Sequence, residues 1–307
     1  MAGSAAKKPS RLAAWGGRLA LIPPYVWLLL FFLAPFLIVL RISFSEAVIA
    51  QPPYSPTFSL ADGFSGLWEG LKEFTGFNYV FLSEDALYIR AYASSLTIAA
   101  ISTAITLVAG FPIAYAMARA PAAWRPVLVA MVILPFWTSF LIRVYAWIGI
   151  LKRDGLLNEA LLALGLIGEP LVILNTNAAV YVGIVYTYLP FMILPIYAAL
   201  ERQDGSLLEA AADLGSPPAL AFWQITVRLA VPGILAGSLL VFIPVVGEFV
   251  IPSLLGGSET LMIGRTLWDE FFQNRDWPLA SAVAVLLVLV LVVPITIFQR
   301  AQSRSGL

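Results

Sequence analysis

Six long apolar runs constrain this chain more than any other feature. They lie at about residues 19–40, 91–117, 127–151, 178–200, 231–252 and 278–298. Each supplies the roughly 20 helical residues that cross the hydrocarbon of a bilayer. There, a helix or a closed barrel is needed to satisfy every backbone group internally. Residues are 60% hydrophobic and 12% charged, against about 45–50% and 25% in soluble domains. The expectation is an all-α integral membrane fold of six transmembrane helices occupying residues 19–298. A cytoplasmic segment 1–18 precedes it and a cytoplasmic tail 299–307 follows.

A seventh apolar stretch, Leu156 to Gly168, is too short to span and carries Asn158 and Glu159. It reads as an interfacial or re-entrant helix. The first run follows Lys7, Lys8, Arg11 and Arg18, but its length and the lack of an A-x-A site argue for a retained helix.

Orientation follows from the basic residues. Lys7, Lys8, Arg11, Arg18, Arg119, Arg125, Arg202, Arg228, Arg300 and Arg304 fall on one side, at higher density than the bases of the other loops. Both termini are therefore expected in the cytoplasm. Acids gather in the outer loops, among them Glu46, Asp62, Glu69, Glu84, Asp154, Glu259 and Asp276. That pattern suits plain solubility of those loops, or a field that attracts cations.

Cysteine and histidine are both absent, which excludes disulfides, thiolate chemistry, imidazole bases and most zinc sites. No G-x-x-x-x-G-K-[ST] loop occurs, so ATP is not bound in that manner. No metal, no bound cofactor and no nucleic-acid partner are expected.

One polar stretch between the fourth and fifth runs, "SLLEAAADLGSPP" (Ser206 to Pro218), has helix signals at both ends. Ser206 and Glu209 stand at the spacing of a capping box. Gly215 sits where a left-handed residue ends a helix, and Pro217 and Pro218 forbid continuation. A helix over Leu207–Leu214 would carry Leu207, Ala210, Ala211 and Leu214 as one stripe. Two turns are marginal in water, so the stripe should be covered. The cover is either the protein's own base and lipid headgroups, or a groove on a separate cytoplasmic subunit.

"EAAADLG" followed by Ile225 resembles the E-A-A-x-x-x-G-x(9)-I loop of the permease subunits of ABC importers. The resemblance implies a type I ABC-importer permease fold whose loop, residues 201–230, holds a coupling helix that fits a cleft on the ATPase. It implies motif positions at Glu209, Ala210, Ala211, Gly215 and Ile225, beside the capping residue Ser206. The family's usual I-x-L-P ending is replaced here by Val227 and Arg228, with a proline only at Pro232. The stretches Leu134–Leu151, Val246–Gly257 and Met262–Ala282 are similar to spermidine/putrescine-type permeases. What this implies is a polyamine path through the membrane, a homologous second permease, two ATPase subunits that carry ATP and Mg, and a periplasmic solute-binding protein. The chain itself is then a transport subunit and not an enzyme.

Within the expected spans only Arg143 and Glu248 are charged. Each costs at least about 2.5 kcal/mol at mid-bilayer, so each needs a partner or water. They fall at similar depth and are expected either to pair with each other or to leave Glu248 facing a substrate ammonium. Trp137, Tyr145 and Tyr188 are candidate path residues, because aromatic faces suit cationic and methylene parts alike. Interfacial belts or ordinary packing account for such residues equally well. The outer stretch "WDEFFQNRDWP" carries Asp269, Glu270, Arg275 and Asp276. It reads as an interfacial helix or as a rim for docking the binding protein. Two other classes remain open: a secondary transporter driven by protonation of Glu248, and an intramembrane enzyme. The absence of histidine and of paired intramembrane carboxylates disfavours the enzyme. An ABC permease for another small solute is also compatible.

Overall fold

The computed structural model describes residues 21–57 and 72–304. The expected N-terminal segment with its four bases, Asp62, Glu69 and the last residues of the tail lie outside them. The chain divides into two compact units, one of residues up to Val80 with 275–285 and one of 81–274 with the remainder of the C-terminus.

In the first unit, helix α1 (Leu21–Ile42) is apolar on all sides and is not buried within the chain. Such a helix is stable only with lipid or another protein around it. It loosens into a π turn at Leu29–Leu33. After α1, Ser43 and Ser45 offer carbonyls to the Asn78 amide at 3.0 and 2.9 Å, and the Ser43 hydroxyl meets Tyr79 Oη at 2.6 Å. This clasp holds a hairpin of two short strands, β1 (Glu46–Ala47) and β2 (Tyr54–Ser55), paired Glu46 to Ser55 and Ala47 to Tyr54. This hairpin is a small addition to a chain that is otherwise mostly helical, as expected. Helix α2 (Phe77–Glu84) leads out of this region.

The core of the second unit is built from α3 (Ala86–Arg119), α7 (Asn177–Glu201) and α9 (Pro218–Val246), with α7 packed along both others. Ala99, Ile184, Met192, Ile196, Val241 and Val245 are fully buried among them. The approach of α7 and α9 depends on Gly233, where a Cβ would stand 2.5 Å from Pro195 O and 2.7 Å from Ala199 Cβ. With Gly237 it forms a small-x-x-x-small pattern that lets two membrane helices close up. Two buried threonine hydroxyls in α3 are satisfied locally: Thr103 donates to Ala99 O at 2.7 Å and Thr106 to Ser102 O at 2.6 Å.

The third expected span is broken. It runs as α4 (Arg125–Ile133) and a 3₁₀ turn (Leu134–Trp137), then α5 (Phe140–Leu151) and α6 (Leu156–Ala163). The two halves bend by 87°. Pro135 cannot donate, and Thr138 turns extended while its hydroxyl takes the Pro135 carbonyl at 2.8 Å. Both effects compete with helix continuation. Thus five helices among the described residues are long and apolar enough to span, six if the bent pair is one crossing.

The fifth span also departs from expectation. Helix α9 begins at Pro218, where proline suits a first turn, loosens into a π segment at Phe222–Val227 and ends at Val246. Gly247 and Phe249 leave helical geometry before α10 (Val250–Leu255). The loop helix is α8 (Ser206–Asp213). After α10 come α11 (Ile263–Trp268), prolonged by a π turn over Asp269–Gln273, and the last helix, α12 (Trp277–Arg304).

Candidate functional site

Two places in the second unit gather the expected residues. The first is α8. Gly215 has φ +76°, and the end of the helix is closed by Gly215 N–H to Ala212 O and Ser216 N–H to Ala211 O, both 2.9 Å. This is the double bond of a Schellman ending, which glycine reaches without a Cβ penalty. The start differs from expectation. Ser206 is the first helical residue and makes no cap with Glu209; Gly205 takes the cap position. Asp204 does the work instead, accepting from Ser206 N–H at 3.0 Å. That bond holds the Asp204 carboxyl below its ordinary value. An aspartate just ahead of the helix was a readable signal for this.

The expected stripe is split between two faces. Leu208 and Ala211 turn toward the protein, whereas Leu207, Ala210 and Leu214 face out, Leu214 at 88% exposure. Glu209 is exposed as well, and Ile225 lies half-buried in the π segment of α9. Leu208 and Ile225 line a cavity of about 210 Å³ with Arg119, Arg125, Glu201 and Asp204. Its charges are tied: Arg125 pairs with Glu201 at 3.6 Å, and Tyr197 Oη donates to the same carboxylate at 2.7 Å. Gln203 donates to Thr226 O at 2.9 Å, joining the two ends of the loop. A short helix is thus anchored along one face and leaves an apolar face free.

The second place surrounds Glu248. It lies past the end of α9, in the break before α10, and is 8% exposed. Its Oε2 accepts from Tyr188 Oη at 2.6 Å, and its Oε1 from the N–H groups of Phe249 at 3.2 Å and Val250 at 3.0 Å. The carboxylate therefore serves the orphan donors at the start of α10. The start of α11 presses on the same backbone: a Cβ on Gly264 would stand 2.6 Å from Gly247 C and 2.7 Å from Glu248 O.

The ion pair considered for Arg143 and Glu248 is not formed. Among the described residues the ion pairs are Arg125–Glu201 and Lys152–Asp154. The Arg143 guanidinium lies over the Phe136 ring at 5.4 Å, and its Nε is buried without a hydrogen-bond partner. The bend after Trp137 sets α5 at a different angle from a straight span, so equal depth did not bring the two charges together. Phe136 and Phe191, which pack between the two charged ends, were not singled out from sequence. Glu248 and Tyr188 are brought together, but Trp137 and Tyr145 are not with them: they are 83% and 57% exposed.

The residues expected on the outer side are engaged locally. Asp269 accepts from Gln273 Nε2 at 2.6 Å, and Glu270 from Tyr88 Oη at 2.7 Å and Asn274 Nδ2 at 2.8 Å. In the other unit, Arg275 is exposed at φ +57°, and Asp276 accepts from Leu279 N–H at 2.9 Å at the start of α12.

Residues 106–305 match the family model described as binding-protein-dependent transport system inner membrane component. The chain is 38% identical to the spermidine/putrescine transport system permease protein PotB of Haemophilus influenzae, over 91% of each chain. Against PotB of Escherichia coli K12 the identity is 42%, over 74% of this chain and 82% of that one. Among solved structures, a chain of the bacterial alginate ABC transporter in complex with an alginate pentasaccharide-bound periplasmic protein superposes with a TM-score of 0.69. It is 18% identical and the match covers 94% of both chains, which speaks for the fold alone.

Proposed function

This chain belongs to the family of binding-protein-dependent transport inner membrane components, and on that footing we propose that it forms the membrane path of an ATP-driven importer for polyamines of the putrescine and spermidine class. The observation that carries the cargo is the 38% identity to a spermidine/putrescine permease across 91% of both chains. The buried Glu248 carboxylate beside Tyr188 supports it, because an ammonium group needs an anionic or strongly accepting surface inside the membrane.

In this reading the chain hydrolyses nothing. Two copies of a cytoplasmic ATPase bind ATP and Mg, and α8 transmits their closure through Leu207, Ala210 and Leu214. A homologous second permease completes the path, and a loaded periplasmic binding protein docks on the side of Asp269, Glu270, Arg275 and Asp276. Both termini face the cytoplasm. Access alternates because each ligand prefers one state of the pair. Proton-driven transport by this chain alone is the reading this one displaces.

The test is uptake of radiolabelled putrescine and spermidine into vesicles holding the complete complex. Uptake should require ATP and the binding protein, and be competed by other polyamines but not by amino acids or sulfate. Uphill transport by vesicles containing this chain alone would overturn the proposal.

A further inference from the structure

The separation of Arg143 from Glu248 is filled in a specific way. Tyr188, hydrogen-bonded to Glu248 at 2.6 Å, lies 6.0 Å from Phe191 between ring centroids. Phe191 lies 5.2 Å from Phe136 with rings at 72°, and Arg143 sits over Phe136 at 5.4 Å. A carboxylate, three aromatic rings and a guanidinium thus form one row. It is assembled from α7, from the 3₁₀ turn before the bend, from α5 after it and from the break after α9. Phe191 is 38% exposed, so the row presents aromatic surface between its two charged ends.

The chemistry at each end differs. Tyr188 spends its proton on Glu248, which leaves the hydroxyl lone pairs free to accept from an incoming ammonium. The rings of Phe191 and Phe136 suit methylene groups and the edges of a cation. At the far end Arg143 has no carboxylate within ion-pair distance among the described residues, and its Nε lacks an acceptor. No carboxylate of the described residues therefore neutralises its charge for anything that approaches along the row.

We propose that Arg143 is a specificity-determining residue that limits cargo length: a diamine lies with one ammonium at Tyr188 and its methylenes over Phe191 and Phe136, while longer polyamines push a further ammonium toward the guanidinium and are slowed. This rests on the polyamine reading and adds the selection among polyamines. A repulsive element of this kind discriminates where attraction alone does not.

The experiment compares Arg143→Gln, Arg143→Lys and the unaltered chain in vesicles containing the complete complex. Each is supplied with putrescine, spermidine and spermine in turn. Each rate is divided by that of the unaltered chain for the same amine, so that selection by the binding protein cancels. Arg143→Gln should raise the spermine-to-putrescine ratio roughly tenfold, the size of a like-charge repulsion over about 10 Å at an effective dielectric near 20. Arg143→Lys keeps the charge and should leave the ratio within about twofold of the unaltered chain. An unchanged ratio in Arg143→Gln overturns the inference, as does an equal loss for all three amines in both variants, which would mark Arg143 as a structural residue. If the unaltered complex moves none of the amines, the polyamine reading itself fails and this inference falls with it.

Discussion

Tyr188 donates its hydroxyl to Glu248 across 2.6 Å, from the middle of α7 to the break that follows α9. The bond fastens a buried carboxylate whose other oxygen serves the first amides of α10. One side chain thus has two duties, capping a half-helix and holding the Tyr188 hydroxyl. Irregular backbone at membrane depth is tolerated where it is buried in protein or lines a cavity, and transporter sites are commonly built from such half-helices.

The two duties separate by substitution. Glu248→Gln keeps an oxygen for the α10 amides and removes the charge. The complex should assemble normally, with uptake of putrescine and spermidine lowered at least about tenfold. Tyr188→Phe leaves the carboxylate short of one donor and should cost about 1–3 kcal/mol of stability, read as a lower unfolding temperature of the purified complex. If Glu248→Gln prevents assembly, the carboxylate is structural first.

Gly264 makes a second test of the same place. A methyl group there collides with Gly247 and Glu248 main chain, and neither can yield without moving the carboxylate. Gly264→Ala is expected to cost about 1–3 kcal/mol by overpacking and to lower uptake by more than its effect on assembly. Normal uptake by Gly264→Ala would show that the break tolerates displacement.

How much of this was legible in the sequence depends on the kind of signal. The apolar runs and the Gly215 ending were readable because each rests on local physics: segment length in lipid, and a backbone angle that glycine favours. The straight third span was misjudged because Leu134 to Leu151 is uniformly apolar. The break lies in Pro135, Thr138 and their carbonyl bond, which hydropathy does not weigh. The Arg143–Glu248 pair is one of two alternatives that matched depth along ideal helices allows, and both helices are interrupted. Phe136, Phe191 and Gly264 act through neighbours far away in sequence, and no periodic pattern marks them. Gly233 and Gly237 were different, since their four-residue spacing was available and points to close helix packing.

The start of α8 gives a pH-dependent prediction. The Asp204 carboxyl titrates below its ordinary range because the Ser206 N–H, and then the Ser206 side chain, bond to it. A group whose folded value is depressed stabilises the helix at pH above its unfolded value, and the contribution disappears as pH falls through the folded one. Protection of the amides of Ser206–Asp213 against hydrogen exchange, corrected for intrinsic rate, should be constant near neutrality and decline in acid. Asp204→Asn should flatten that decline, because an amide oxygen still accepts the bond without titrating. Ser206→Ala keeps the N–H bond to Asp204 and removes only the side-chain one, so it should weaken the acid decline in part.

The last prediction separates the two faces of α8. Leu214 is 88% exposed, so replacing it with aspartate removes almost no contact inside the chain. Exposed substitutions of that kind usually stay within about 0.5 kcal/mol of stability. Yet Leu214→Asp should strongly reduce co-purification of the ATPase and abolish ATP-dependent uptake, because a carboxylate buried in a partner's cleft is left unpaired. Gly215→Val acts differently: φ +76° is costly for a β-branched residue, so helix protection should fall together with ATPase binding. If Leu214→Asp retains the ATPase while Gly215→Val loses it, the outward face is not the contact, and transmission must run through Leu208, Ala211 and the cavity beneath.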